Sequence, residues 1–441
     1  MKVAFECIAD AVRRTRGCMI SNAIEARFVP GMGVGIVACD HIPKNTVVFQ
    51  AGYDAWYPFS AEYALETAQQ KAPGFFQQWN QLLESNRSLR NGSLFVPSAL
   101  VLGVHMLVNF PHAEDPHATL KAIANVETPS LDKLYVNALP RSVDLPLLWN
   151  DRQFEELQGC IEARRAMQHG KRFYMQMYHY FFGSNNQLVN PKAFFWAISI
   201  LMSRATSGQN QPLTLVPFFD WFNHADNGDE CVQEFDPQKG FTVHTTKSYK
   251  PGEQLFISYG NHGNLRLLRN YGFTIPANPY DVINLPMPGL LQRPDLADPA
   301  FSQKRELFLA AAGSQADVPA LKSLTIQNNG NLDPNAKHWL EIMLATPDEL
   351  SEILRQAAMR PTTGAELTSS LRIPSSLTRK VNAEVRNLVT RRMKEHCSTF
   401  EEDDAFLRAN EQQMTPWLRS CLHLRMSEKQ TLIRAAAKYS R

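Results

Sequence analysis

A chain of 441 residues with 44% hydrophobic and 20% charged positions carries enough apolar material for a large core spread over two or three domains, which excludes wholesale disorder and a fibrous repeat. Lysines and arginines number 45 against 43 acids, and the resulting formal charge of +2 is too small to draw the chain to nucleic acid or to a membrane by bulk electrostatics. Neither is an expected partner.

In chain order, the first twenty residues set Glu6 and Asp10 among Arg13, Arg14 and Arg16 without the apolar stretch of a signal peptide. No apolar run in the chain approaches the roughly 20 residues that span a bilayer. From Ala23 to Gln50 the text alternates and is rich in β-branched residues (IEARFV, GIVACD, TVVFQ), broken at Pro30-Gly31-Met32-Gly33 and Pro43-Lys44-Asn45, which predicts three short strands. Helical spacing takes over from about residue 61 to 200, as in FFQQWNQLL, ALVLGVHMLV, FEELQGCIEARRAMQ and PKAFFWAISILMSRA, with loops at PHAEDPH and LPRSVDLP. Strands return at TLVPFFDW, CVQEF, FTVHTT and EQLFISYG. A β region of about 20–60 is thus interrupted by a helical insertion of about 61–200 and resumes over about 201–285. Prolines cluster after Leu285, and amphipathic segments follow (QKRELFLAAAG, PNAKHWLEIMLA, PDELSEILRQAAM, VNAEVRNLVTRRMKEH, SEKQTLIRAAAKY), which sets a boundary near 286 and an all-helical second domain over 286–441. There is no internal repeat.

Three segments carry chemistry. The glycines of Gly31-Met32-Gly33-Val34-Gly35 lack the third glycine and the following helix of a dinucleotide loop, since Ile36-Val37-Ala38 continues as a strand. They are either a bulge in a sheet or a place where backbone approaches a ligand. Asp220, Asn223 and His224 stand together in LVPFFDWFNHADN, either as a turn with capping side chains or as part of a site. Tyr259 and Tyr271 each precede a glycine and are either buried aromatics or pocket walls. The seven cysteines (Cys7, Cys18, Cys39, Cys160, Cys231, Cys397, Cys421) are scattered and never form CxxC, which argues against a disulfide framework and a cysteine-built zinc site, so no metal is expected. A reducing compartment, cytoplasmic or nuclear, fits this usage, with a plastid address left open.

Taken in order, these segments resemble the SET-domain protein methyltransferases, in the class of Rubisco large-subunit methyltransferase and actin-histidine methyltransferase. Gly33-Val34-Gly35 is similar to that family's GxG segment, Asp220-Trp221-Phe222-Asn223-His224 to its D-x-x-N-H, and Ile257-Ser258-Tyr259-Gly260 with Asn270-Tyr271-Gly272-Phe273 to its tyrosine motifs. Tyr135-Val136-Asn137-Ala138-Leu139-Pro140 and Leu157-Gln158-Gly159 resemble its helical insert, Ser203-Arg204-Ala205 its Ser-Arg-Ala, and the stretches 397–403 and 424–429 its substrate-binding domain. Thr206 departs from the usual aromatic, which implies a wider or differently charged pocket there.

The resemblance implies an α+β architecture: a β-rich SET fold whose Asn223-His224 segment threads beneath the Tyr259 loop as a pseudoknot, a helical insertion, and an all-α C-terminal substrate-binding domain. It implies S-adenosyl-L-methionine as cofactor, lying against Met32, Gly33, Val34 and Gly35, with Arg204 facing its carboxylate and Asn223, His224 and Tyr259 holding the remainder. On the substrate side it implies Tyr259 and Tyr271 as catalytic residues beside the sulfur, Arg204 lining the same pocket, and Asp220 at a channel mouth where it attracts a cationic side chain. The expected activity is methyl transfer by a monomer to a lysine of a protein substrate. The alternatives are a histidine acceptor in the same class and a SET-fold peptide-binding module without turnover.

Overall fold

Alternation of apolar and polar residues builds the first layer directly. The computed structural model describes residues 2–86, 95–109, 130–183, 190–208, 211–226, 228, 230–286, 300, 302–304, 306–307, 323–358 and 373–440. Strands β1 (Met19–Ile20), β2 (Ile24–Val29), β3 (Gly33–Ala38) and β4 (Val47–Ala51) precede the helical stretch, and β5 (Thr206–Gly208), β6 (Gln211–Thr214), β7 (Asn223–His224), β8 (Val232–Asp236), β9 (Gly240–His244) and β10 (Gln254–Ile257) follow it. They form one sheet in the order β1-β4-β9-β8, a second in the order β2-β3-β10-β7, and the small pair β5-β6. β2 and β3 pair antiparallel from Ile24↔Ala38 to Val29↔Gly33, and β10 joins β3 at Val37↔Gln254 and Ile36↔Leu255. Strands before and after the insertion therefore complete both larger sheets, as an interrupted β region requires.

Ile36, Ala38, Phe49, Phe222 and Leu255 are fully buried in one apolar cluster of these sheets. The N-terminal segment joins that cluster as a helix, Lys2–Arg14, with Ile8 and Val12 buried and the Phe5 ring edge-on to Trp221 at 5.2 Å. The sequence expectation assigned it no structure, although Phe5, Ile8, Ala9 and Val12 have the spacing of a helix face. TLVPFFDW differs from expectation too. The strand stops at Thr214, because Pro217 offers no amide proton and Phe218 adopts a positive φ of 72° before one 3-10 turn, Phe219–Trp221.

Within the insertion, helices Ala61–Lys71, Pro73–Ser85, Phe95–Asn109, Leu131–Ala138, Ile161–Phe182 and Pro191–Arg204 enclose a separate apolar core around Tyr135, Tyr178, Phe194 and Ile198. Ser60 caps the first of them by accepting from the Tyr63 amide at 3.1 Å, and Asn190 caps the last ahead of Pro191.

The chain divides into two compact units: Met1–Trp149, Met167–Asn261 and Arg269–Gly272 form the first, and Asn150–Ala166, His262–Leu268 and Phe273–Arg441 the second. The division thus falls at 273 rather than near 286, and a piece of the insertion belongs with the second unit. Polar contacts tie both pieces into the second unit. Asn264 binds Asp281 and the Ile275 carbonyl, Asp281 binds Ser427, and Glu156 lies 3.7 Å from Arg425. The second unit packs helices Pro334–Leu344, Pro347–Ala358, Ser375–Met393, Phe400–Asn410 and Pro416–Lys438 around Leu340, Ile353, Val385 and Leu432. It is not purely helical: β11 (Val282–Pro286) and β12 (Ser323–Gln327) pair antiparallel. The loop expected at 111–117, the proline-rich stretch 287–299 and most of the helix expected at 303–313 lie outside the described residues. Among the described residues, no helix is long and apolar enough to cross a membrane.

Candidate functional site

Strand pairing gathers the motif residues at one edge of the second sheet. β7 lies parallel to β10, with Asn223 opposite Phe256 and His224 opposite Ile257, so Tyr259, just past β10, comes to the end of β7. The Tyr259 amide donates to His224 Nδ1 at 3.1 Å, and its hydroxyl donates to the Phe222 carbonyl at 2.8 Å. The two rings stack at 5.1 Å, and Tyr271, ending the helix Asn264–Tyr271, lies on the other ring contact of Tyr259 at 4.9 Å. Gly272 follows with φ 81°, and a Cβ there would fall 2.5 Å from the Asp144 carbonyl, so only glycine lets the chain leave the helix on that path. Burial holds the His224 imidazole below its ordinary pKa, and acceptance at Nδ1 assigns the proton to Nε2. Burial likewise pushes the Tyr259 phenol far up, with Arg204 only partly offsetting it, so the group is a neutral phenol at physiological pH.

The glycine segment divides into two functions. Gly35 faces protein: an added Cβ would meet Gln254 Nε2 at 2.7 Å and Asn223 Nδ2 at 2.9 Å. Its lack of a side chain makes room for two amides, one of which, Asn223 Nδ2, donates to the Val34 carbonyl at 3.2 Å. Gly33 faces open space, with φ 78° and no heavy atom within 4 Å of a Cβ, and neighbouring Met32 is 51% exposed at the hairpin turn. An added Cβ thus meets open space at Gly33 and neighbouring side chains at Gly35.

Asp220 also departs from expectation. It sits on the 3-10 turn that the Phe218 backbone creates, and Phe218 is fixed there by stacking on Phe49 at 5.8 Å. The Asp220 side chain has no exposure, so it lines no channel mouth and attracts no solvent cation. Its Oδ2 instead accepts from Arg204 Nη1 and from the Tyr135 hydroxyl, each at 3.0 Å, and Arg204 Nη1 also reaches the Asp220 carbonyl at 3.2 Å. Burial raises the Asp220 carboxyl above its ordinary range and Arg204 offsets part of that rise. Arg204, expected to face a ligand carboxylate, is engaged by Asp220, while its side chain keeps 21% exposure. Asp220 Oδ1 and Gln254 Nε2 are buried with no hydrogen-bond partner among the described residues.

Contacts thus join Val34, Gly35, Phe222, Asn223, His224, Tyr259 and Tyr271, and beside them Arg204, Asp220 and Tyr135. Met32 and Gly33 are tied to this group through the chain. Sequence reasoning assigned no site role to Gln254 or Tyr135. Both stand inside the motif segments of the sequence, but their roles depend on which partner each side chain meets.

Known proteins give a consistent placement. A SET domain model matches residues 33–260, just over half of the 441-residue chain, and a Rubisco LSMT substrate-binding model matches residues 295–432. The large-subunit N-methyltransferase of ribulose-1,5-bisphosphate carboxylase/oxygenase from Nicotiana tabacum is 25% identical over 328 residues, covering 68% of this chain and 62% of that protein. This chain accordingly spans about three fifths of the length of that relative. Actin-histidine N-methyltransferase of Canis lupus familiaris is 22% identical over 431 residues, covering 88% of this chain and 70% of that protein. A crystal structure of the SET domain of LSMT bound to lysine and AdoHcy superposes with a TM-score of 0.70 at 20% identity, covering 100% of this chain and 91% of that one. With two strand sets completed across a helical insertion, β7 running beside β10, and the family model spanning both, the chain belongs to the SET-domain family.

Proposed function

We propose that the chain is an S-adenosyl-L-methionine-dependent protein N-methyltransferase that modifies a lysine side chain of a protein substrate. The observation that carries this reading is the arrangement around Tyr259. A neutral phenol, held through Phe222 and His224 and packed on Tyr271, stands where two sequence-distant strands meet.

The residues present suit the cofactor. Met32 and Gly33 offer exposed main chain with room for close approach, and Arg204 is a cation with an exposed portion. Asn223 commits its amide nitrogen to Val34, which leaves its amide oxygen as an acceptor, and the orphaned Asp220 Oδ1 and Gln254 Nε2 offer one acceptor and one donor. When bound, S-adenosyl-L-methionine supplies an electrophilic methyl on a sulfonium. Tyr259 keeps its proton and so orients an acceptor nitrogen rather than abstracting a proton from it. Tyr271, packed on Tyr259 at 4.9 Å, helps confine the acceptor, and the resulting alignment is the main demand of an in-line displacement. A lysine must lose its proton to attack, and entry into an apolar site beside a cationic sulfur lowers its pKa in that sense.

A histidine acceptor is the second reading. It is favoured by the match to the canine actin-histidine enzyme, which extends over 88% of this chain. An imidazole is already largely neutral near pH 7 and needs no such shift.

Labelled cofactor incubated with the purified chain and protein extracts should label a protein band, and mass spectrometry of the labelled peptide separates lysine from histidine. Tyr259→Phe should slow transfer about tenfold to a thousandfold. Absence of labelling together with absence of cofactor binding in calorimetry would remove the proposal.

A further inference from the structure

The stretch Leu157-Gln158-Gly159 leads into a buried cluster in the second compact unit that the methyl-transfer site does not use. Cys160, His396 and Glu428 place a sulfur, an imidazole nitrogen and a carboxylate oxygen within 4.8 Å of one another. Cys160 has no exposure, and the side chains of His396 and Glu428 keep 2% and 10%. Gly159, at φ 74°, presses its backbone against the His396 ring: a Cβ there would lie 2.3 Å from Nδ1. Nδ1 makes no hydrogen bond among the described residues, and Nε2 faces Glu428 Oε1 at a long 3.4 Å. A buried imidazole in that condition is costly and calls for a partner.

The surrounding charges indicate which partner. Arg392 pairs with Glu395 at 2.9 Å, Arg425 lies 3.7 Å from Glu156, and Lys429 pairs with Asp403 at 2.5 Å. Arg392 also pairs with Glu428 and Arg425 also with Asp403, so these three cations face four acids, and with Cys160 as a thiolate the cluster would carry the two excess negative charges that a doubly charged ion balances. Arg392 Nε holds Glu428 Oε1 at 2.8 Å and so fixes this carboxylate beside Cys160 and His396.

We propose that Cys160, His396 and Glu428 bind one divalent cation of the zinc class in the second unit. Thiolate sulfur, imidazole nitrogen and carboxylate oxygen are the ligand types of a zinc centre, and a shared ion would draw these atoms to roughly 3.5 Å from one another. Binding breaks the Cys160 S–H bond and forms a sulfur–metal bond, with the proton passing to solvent and no electron transferred. The ion would tie the 150–166 segment to two elements of the helical unit, independently of methyl transfer.

The 441-residue chain, stripped with a strong chelator and refilled with Zn(II), should retain one equivalent of zinc after dialysis against a weak chelator and gain thermal stability. Co(II) in its place should give a thiolate-to-cobalt charge-transfer band. Cys160→Ser should abolish the band and the retention, whereas Cys397→Ser, next to His396 but exposed, should preserve both. Equal retention in Cys160→Ser and the unaltered chain overturns the site. If Cys160→Ser does not fold, lack of the cobalt band in the unaltered chain overturns it instead, and leaves the cluster a hydrogen-bonded core of thiol, acid and imidazole.

Discussion

Two aspartates, one in each compact unit, are buried in opposite manners. In the second unit Asp403 has both oxygens engaged: Oδ1 accepts from Arg425 and Ser398, Oδ2 accepts from Lys429, and Ser398 also binds both cations. In the first unit Asp220 spends one oxygen on Arg204 and Tyr135 and leaves Oδ1 without a partner among the described residues. A carboxylate with both oxygens engaged braces a fold, whereas one with a buried oxygen to spare is arranged for a further donor. Asp403 therefore acts as an internal clamp of the second unit.

The comparison can be broken most forcefully at Asp403. Asp403→Ala leaves Arg425 and Lys429 buried without their acid and should cost about 3–5 kcal/mol, read as a large fall in the denaturant midpoint. A loss below about 1 kcal/mol would show that the clamp is dispensable. Asp220→Asn should cost less stability, about 1–3 kcal/mol, because Arg204 keeps partial solvent access. Its larger effect should be at least a tenfold loss of cofactor affinity in calorimetry, and equal affinity would make Asp220 a second brace. Gly35→Ala should cost about 1–3 kcal/mol and weaken the cofactor by displacing Asn223 or Gln254, an effect visible as altered binding enthalpy.

The smallest effect sharpens the contrast through pH. Burial, then Lys71, holds His105 in the first unit at about 4 against an ordinary 6.5. A folded-state pKa below the unfolded one means the unfolded chain binds the extra proton. Stability is therefore complete above about 6.5 and declines as pH falls toward about 4. His105→Gln should flatten that decline in chemical denaturation profiles, whereas a slope unchanged by the substitution would assign it elsewhere, for instance to the likewise depressed His423 of the second unit.

The alternating strands, the helical interruption and the tyrosine and Asn-His segments were legible in the sequence because each rests on spacing within a few residues. The helix Lys2–Arg14 was equally legible, since its apolar face has helical period, but its short length and dense charge drew the reading toward targeting signals instead. Asp220 was misread for a different reason. A single positive φ at Phe218, imposed by packing on Phe49, rotates the following turn inward, and no local pattern encodes that choice.

By itself, the order of residues determined the family, because motif identity and spacing survive without coordinates. Only the tertiary structure decided that Gly35 accommodates two amides while Gly33 faces open space, that Asp220 serves Arg204 from within, and that Cys160, His396 and Glu428 meet at all. Those facts depend on which surfaces pack together, and packing joins residues whose separation along the chain carries no periodic signal.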